Sequence, residues 1–483
     1  MKTLFKNISA LKWLAAYLLG FIFISFYSCD NSPSNQTNSA YLGGEIVNPT
    51  SEYIVLQKNG KILDSIRLDD RNRFSYRIDS VQQGIYSFGH RPEIQHFYIS
   101  PGDSLLIRAN TLAFDESLHF SGTGEAENNF ITEMFLLDEA NADLLLSFYK
   151  TSPSEFLKQT DSIKRNRLEH LERLKVKKKF SPEFVTLAEK IINYESYDLK
   201  ERYIYLISKY YTEYQQKLPD NFYEYRKNVV FNDTSLQETA AYKRFIENYL
   251  TNKSLELCKR THKDHEECFD RANTKNILNR IKMVGDLIKI PSLKNHFLLK
   301  LGAKGIVLAR SREDIKVILE ALRKNGFPED QVKDMEQLGT IQLAYLPGTE
   351  IKDVPLINTK EEFVPFLNIV DKPTIIFLWS IYKDGHQEDH KLIQELRRKY
   401  PEINFVGINL DIDETTAWKI AVQKYNYNKD FEYQLGQTQI NKRFFQYYLN
   451  KLLFLDDAGK VVIGDAFINS PEFESRILEF LNR

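Results

Sequence analysis

Between Thr374 and Pro401 the chain changes its hydrophobic period. Thr374–Trp379 (TIIFLW) is wholly apolar, as a strand covered on both faces must be, whereas His386–Pro401 (HQEDHKLIQELRRKYP) repeats apolar residues at three- and four-residue spacing, the signature of an amphipathic helix. A second strand (INFVGINLD, Ile403–Asp411), a second helix (DETTAWKIAVQKY, Asp413–Tyr425), a hairpin (KLLFLDDAGKVV, Lys451–Val462) and a last helix (SPEFESRILEFLN, Ser470–Asn482) follow. Strands joined by whole helices run parallel, because that crossover is too long for a hairpin. Residues 355–483 therefore predict an α/β domain ending in a hairpin and a helix.

The chain has 483 residues, too many for one core, so further domains are expected upstream. Residues 41–124 read as β: short alternating runs are separated by NG and DDRN, and they predict an antiparallel β-sandwich. Residues 125–340 read as helical throughout, with SPEF supplying a Ser N-cap followed by Pro at the first helical position. The tyrosines Tyr203, Tyr205, Tyr210, Tyr211 and Tyr214 read as helix core with hydroxyls at its rim, or as an aromatic groove. Residues 341–354 read as a linker. The expected class is thus multidomain α+β: β-sandwich, all-helical middle, α/β end.

The N-terminus carries Lys2, Lys6 and Lys12 and then an apolar run of 16 residues, Trp13–Ser28, shorter than the about 20 needed to span a bilayer. Cys29 directly after it resembles the acylated cysteine of bacterial lipoprotein signals, although Phe26 stands where Leu is usual and Tyr27 is bulky. The resemblance implies a signal peptide over 1–28, lipidation at Cys29, a polar tether over 29–40, and a membrane-anchored protein facing the periplasm or cell exterior; an uncleaved anchor is the other reading. Asn72-Arg73-Phe74, Gly84-Ile85-Tyr86 and Pro101-Gly102-Asp103 resemble, in this order, turn motifs of the β-domain that opens many exported Bacteroidetes lipoproteins.

Thr374–Tyr382, Phe405–Asp411 and Ala417–Lys419 together resemble the thioredoxin-like domain of TlpA/ResA-type exported proteins, which implies a thioredoxin-like fold and a thiol–disulfide oxidoreductase ancestry. Trp379 falls on that family's first Trp and Tyr382 on the aromatic before its CxxC. The CxxC positions hold Lys383-Asp384-Gly385-His386. The family's cis-proline aligns with Asn450 or Lys451, and no proline occurs between Pro401 and Pro471. Thiol exchange needs an attacking thiolate and a resolving sulfur, and neither lysine nor histidine supplies one. Trp379, Tyr382 and His386, beside Asn450, are the expected binding cleft for a peptide or an envelope protein; the turn itself reads as a polar, solvated remnant whose carboxylates complement the helix dipole, the alternative being that Lys383 and His386 meet an anion, with Asp384, Glu388 and Asp389 close enough to pair with them.

In an exported chain the remaining cysteines, Cys258 and Cys268, are expected to form a disulfide. His262 and His265 between them leave a metal site open, and free thiols serving a redox role are the third alternative. On a continuous helix the two sulfurs would lie about 15 Å apart, so a bridge or a metal site requires a turn near His262–Glu266. No cofactor is expected. A net charge of −1 gives no field for nucleic acid, and no P-loop, G-x-S-x-G, H-E-x-x-H or G-x-G-x-x-G occurs.

Overall fold

The computed structural model describes residues 38–483 except 91–92, 149, 262–265, 271, 352–353 and 439. The signal segment 1–28, Cys29, most of the tether, His262 and His265 lie outside the described residues. The chain divides into two compact units, Met1–Ala140 with Leu171–Ala188, and Asn141–His170 with Glu189–Arg483.

In the first unit, β1 (Ala40–Val47), β2 (Tyr53–Lys58), β3 (Lys61–Arg67), β4 (Arg73–Ile78), β5 (Gly84–His90), β6 (Glu93–Ile99), β7 (Ser104–Asn110) and β8 (His119–Thr123) form two four-stranded sheets, β4-β1-β7-β8 and β3-β2-β5-β6. The NG turn joins β2 to β3 with positive φ at both Asn59 and Gly60, which suits the twist of a two-residue hairpin. Leu42, Leu56, Phe74, Phe88, Phe97 and Ile107, drawn from both sheets, share one core. One pair departs from the antiparallel expectation: β7 runs parallel to β1. The chain builds β5 and β6 in the other sheet before it returns, so no hairpin fixes the direction of β7 against β1.

Helix α1 (Glu125–Phe148) starts two residues after β8, and α2 (Pro153–Lys178) and α3 (Pro182–Tyr210) follow. Buried Asn128 of α1 accepts from the Tyr98 amide and donates to its carbonyl, each at 2.7 Å, which fixes the helix to β6.

The second unit continues with α4 (Ala240–Thr261), α5 (Thr274–Leu287), α6 (Pro291–Leu308), α7 (Arg312–Lys324) and α8 (Glu329–Ala344). Tyr203 is fully buried, stacks on Phe156 at 3.8 Å and donates to the Thr151 carbonyl, while Tyr214 donates to that of Lys150. Tyr203 is thus core with its hydroxyl at the margin, Tyr205, Tyr211 and Tyr214 are half-buried, and Tyr210 is exposed. Cys258 of α4, a helix that ends at Thr261, and Cys268 form a disulfide, Cα to Cα 5.8 Å. Free thiols and a metal site built on these cysteines are thereby corrected, because both sulfurs are bonded to each other.

Helix α8 runs through Ala344, so the expected linker begins as helix. Beyond it the segment is bound to the sheet: Gly348 donates to Val461, Val461 to Thr349, and Ile351 to Gly459. A seven-stranded sheet follows, built from β9 (Leu356–Asn358), β10 (Phe363–Val364), β11 (Thr374–Trp379), β12 (Asn404–Asn409), β13 (Glu432–Leu435), β14 (Lys451–Leu455) and β15 (Val461–Phe467) in the order β10-β9-β13-β12-β11-β14-β15. β11, β12 and β13 are parallel, joined by α9 (His386–Lys399) and α10 (Thr415–Lys424); β14 and β15 are antiparallel, and α11 (Phe473–Leu481) closes the chain.

One face of this sheet packs on α9, α10 and α11 through Phe377, Trp379, Ile393, Phe405, Trp418, Phe454 and Ile477. Side chains alternate along a strand, so Lys451 and Leu453 point to the other face. There Lys451 donates to the Val307 carbonyl of α6 and to Gln342 of α8, and the Tyr448 hydroxyl donates to the Leu338 carbonyl of α8. Both faces are covered, which is why Thr374–Trp379 is buried at every position.

Candidate functional site

The turn after β11 is held from below by Asp411, which accepts from the Ser380 hydroxyl at 2.7 Å and the Ile381 amide at 2.8 Å. Gly385, at φ 79°, is the N-cap of α9. Glu388 and Asp389 stand in the first turn of α9 and Arg397, Arg398 and Lys399 in its last, complementing its dipole at both ends. Lys383 pairs with Asp389 at 2.5 Å, and both side chains are largely buried. Asp384 is exposed.

His386 turns inward. Its Nδ1 meets the Tyr427 hydroxyl at 2.7 Å, and burial, reinforced by the neighbouring His390, holds its pKa below the ordinary imidazole value. The His390 ring stacks on Tyr427 at 3.6 Å, and its Nδ1 meets the His386 carbonyl. Burial in turn pushes the Tyr427 phenol above its ordinary pKa.

Beneath these lies Glu432 of β13, which is fully buried. Trp379 Nε1 donates to its Oε2 at 2.9 Å, while His390 Nε2 stands 3.4 Å and the Arg397 guanidinium 4.0 Å from Oε1. Gly407, opposite Glu432 on β12, makes the room: a Cβ there would sit 2.4 Å from Oε2.

The expected cleft residues do not share one surface. Trp379 is 0% exposed, His386 is buried, and Tyr382 is 68% exposed. The reason is alternation: Trp379 shares the core-facing side of β11 with Ile375 and Phe377. Phe377 pairs with Leu452, so exposed Asn450 comes level with Trp379 at the end of β11. Its neighbour Lys451 faces α6 and α8, so this edge is shared with the helices. Neither Glu432 nor Tyr427 was singled out from sequence; the available signal was a carboxylate at an inward position of the short strand EYQL.

Lys383, Asp384 and His386 carry an ammonium, a carboxylate and an imidazole, each able to bind or to move a proton, but no sulfur. Cys258 and Cys268 are 3% and 1% exposed within their disulfide.

No protein-family model matches the chain, and no curated protein does. Among solved structures, the thioredoxin domain of a thiol-disulfide oxidoreductase from Bacteroides vulgatus is 15% identical over 28% of this chain and 98% of its own, with a TM-score of 0.24. A thiol-disulfide oxidoreductase from Bacteroides fragilis is 20% identical over 28% and 98%, with a TM-score of 0.23. A SCO1/SenC family lipoprotein from Bacillus anthracis is 13% identical over 28% and 95%, with a TM-score of 0.23. No described helix is long and apolar enough to cross a membrane. Each of these three solved structures covers about 28% of this chain.

Proposed function

We propose that this chain is a cell-envelope lipoprotein whose thioredoxin-like domain no longer exchanges thiols and acts as a binding or assembly module for a peptide or an envelope protein. The observation that carries the reading is the occupation of the CxxC positions by Lys383-Asp384-Gly385-His386, with Lys383 tied to Asp389 and His386 to Tyr427. The thioredoxin-like sheet remains useful as a packing surface, because α6 and α8 rest on the face that carries Lys451. The exposed Tyr382 and Asn450 then form the outer edge available to a partner.

An insulin-reduction assay on the full chain tests the loss of chemistry. No turnover above a thiol-free control is expected. Turnover that disappears in Cys258→Ser would establish instead a thiol–disulfide oxidoreductase using Cys258 and Cys268. The anchor is tested by intact mass of the protein from its native membrane: a diacyl or triacyl chain starting at Cys29 is expected, and an unprocessed N-terminus overturns it.

A further inference from the structure

The α9 side of the sheet carries an open cleft of about 1070 Å³ between α9 and α10, bounded also by the β9–β10 turn and the loop after α10. It is distinct from the CxxC turn, and it lies across the sheet from the face covered by α6 and α8. Its lining holds four cationic side chains, Arg397, Arg398, Lys419 and Lys429, against one carboxylate, Asp430. Two of the four charges are already met. Arg397 faces Glu432 at its base, and Lys419 pairs with Glu361 at 2.6 Å.

The other two are not. Arg398 spends Nε on the Gln394 carbonyl, and no ion pair meets its guanidinium among the described residues. Lys429 has no ion pair there either. Asp430 offsets one charge, so the cleft keeps an excess of positive charge although the whole chain is near neutral. The rest of the lining includes the amide side chains of Gln394, Gln423, Asn426 and Asn428 and the apolar Ile420 and Val422; Gln394 donates to the Asn426 carbonyl and Asn428 accepts from the Asp430 amide. Tyr427 forms the inner end, its ring fixed on His390 and its hydroxyl on His386, so this end of the cleft is rigid.

A concave site of this size suits a whole small molecule rather than a single ion. Two cations without an ion pair, in a lining that also offers amides, suit a ligand that carries more than one negative group together with hydrogen-bonding groups. We infer that the α9–α10 cleft binds a small organic polyanion bearing two or more carboxylates or phosphates, with Arg398 and Lys429 as its charge partners. This site does not depend on the fate of the CxxC.

Calorimetric titration of the full chain with citrate and, separately, with inorganic pyrophosphate at pH 7 and low salt tests it. Saturable one-to-one binding of at least one anion is expected. It should weaken tenfold or more in Arg398→Gln with Lys429→Gln, and hold in the charge-matched control Lys177→Gln with Lys178→Gln. Binding of citrate alone assigns a carboxylate ligand, pyrophosphate alone a phosphate ligand, and both the shared polyanion chemistry. Heat-free titration with both anions, or equal weakening in the control pair, overturns the site. Unchanged far-ultraviolet circular dichroism keeps a misfolded variant from counting as a positive result.

Discussion

Glu432→Ala is expected to cost the second unit about 3–5 kcal/mol, the usual penalty for removing one partner of a buried charged pair. Glu432 is fully buried and accepts from Trp379 Nε1, while its other oxygen faces His390 and Arg397. Deleting the carboxylate leaves an indole N–H without an acceptor and removes the counter-charge of a guanidinium that packs on Phe431. Glu432→Gln should lose less, since an amide oxygen can still accept from the indole. Gly407→Ala should lose a comparable amount by a different route, because the added methyl would occupy the place of Oε2. Urea unfolding followed by the fluorescence of Trp379 and Trp418 reads all three. A loss under about 1 kcal/mol for Glu432→Ala would mean that the carboxylate is not the centre of this network.

What the sequence made legible follows from the range of the interactions. The α/β order of residues 355–483 was readable because the period of each segment is local, and β11, α9, β12, α10 and the terminal hairpin stand where that period placed them. The absence of sulfur from Lys383–His386 was likewise readable, and Asp389 was one of three carboxylates within reach of Lys383 and His386, because a first-turn carboxylate is close to the preceding turn; that Lys383 takes Asp389, and that the pair is largely buried, was not. The direction in which Trp379 and His386 point was not. It is set by the register of β11 against β14 and by Tyr427, 41 residues beyond His386. Glu432 was invisible for the same reason: a single glutamate in a short strand resembles an edge residue until Gly407 and Arg397 are seen around it. The parallel β1–β7 pair depends on where the chain goes between them. The docking of Lys451 on Val307 and Gln342 spans 144 and 109 residues, beyond any periodicity.

Lys451 makes the stability of this unit depend on pH in a predictable direction. Its ammonium is buried between α6, α8 and β14, donating to the Val307 carbonyl at 2.5 Å and to Gln342 Oε1 at 2.7 Å. The Tyr345 and Tyr448 rings lie 4.9 Å and 5.4 Å away. Burial holds its pKa down to about 7, only partly countered by Asp465 of β15. Burial also pushes the phenols of Tyr345 and Tyr448 upward, so neither supplies an anion near neutrality. Between pH 7 and the ordinary lysine value of 10.5, the unfolded chain therefore holds a proton that the folded chain releases. Stability contributed by this group is fully present above that window and is lost as pH falls through it, with a slope of at most about 1.4 kcal/mol per pH unit. Lys451→Met keeps the length of the side chain and removes the titration. The difference in unfolding free energy between the two proteins should change steadily from pH 7 to pH 9, in favour of the native chain at the higher pH. Other titrating groups cancel in that difference, so parallel profiles would show that Lys451 stays charged when folded. A steady divergence would mean that Lys451 gives up its proton on folding, because the face joining the sheet to α6 and α8 leaves its ammonium short of water.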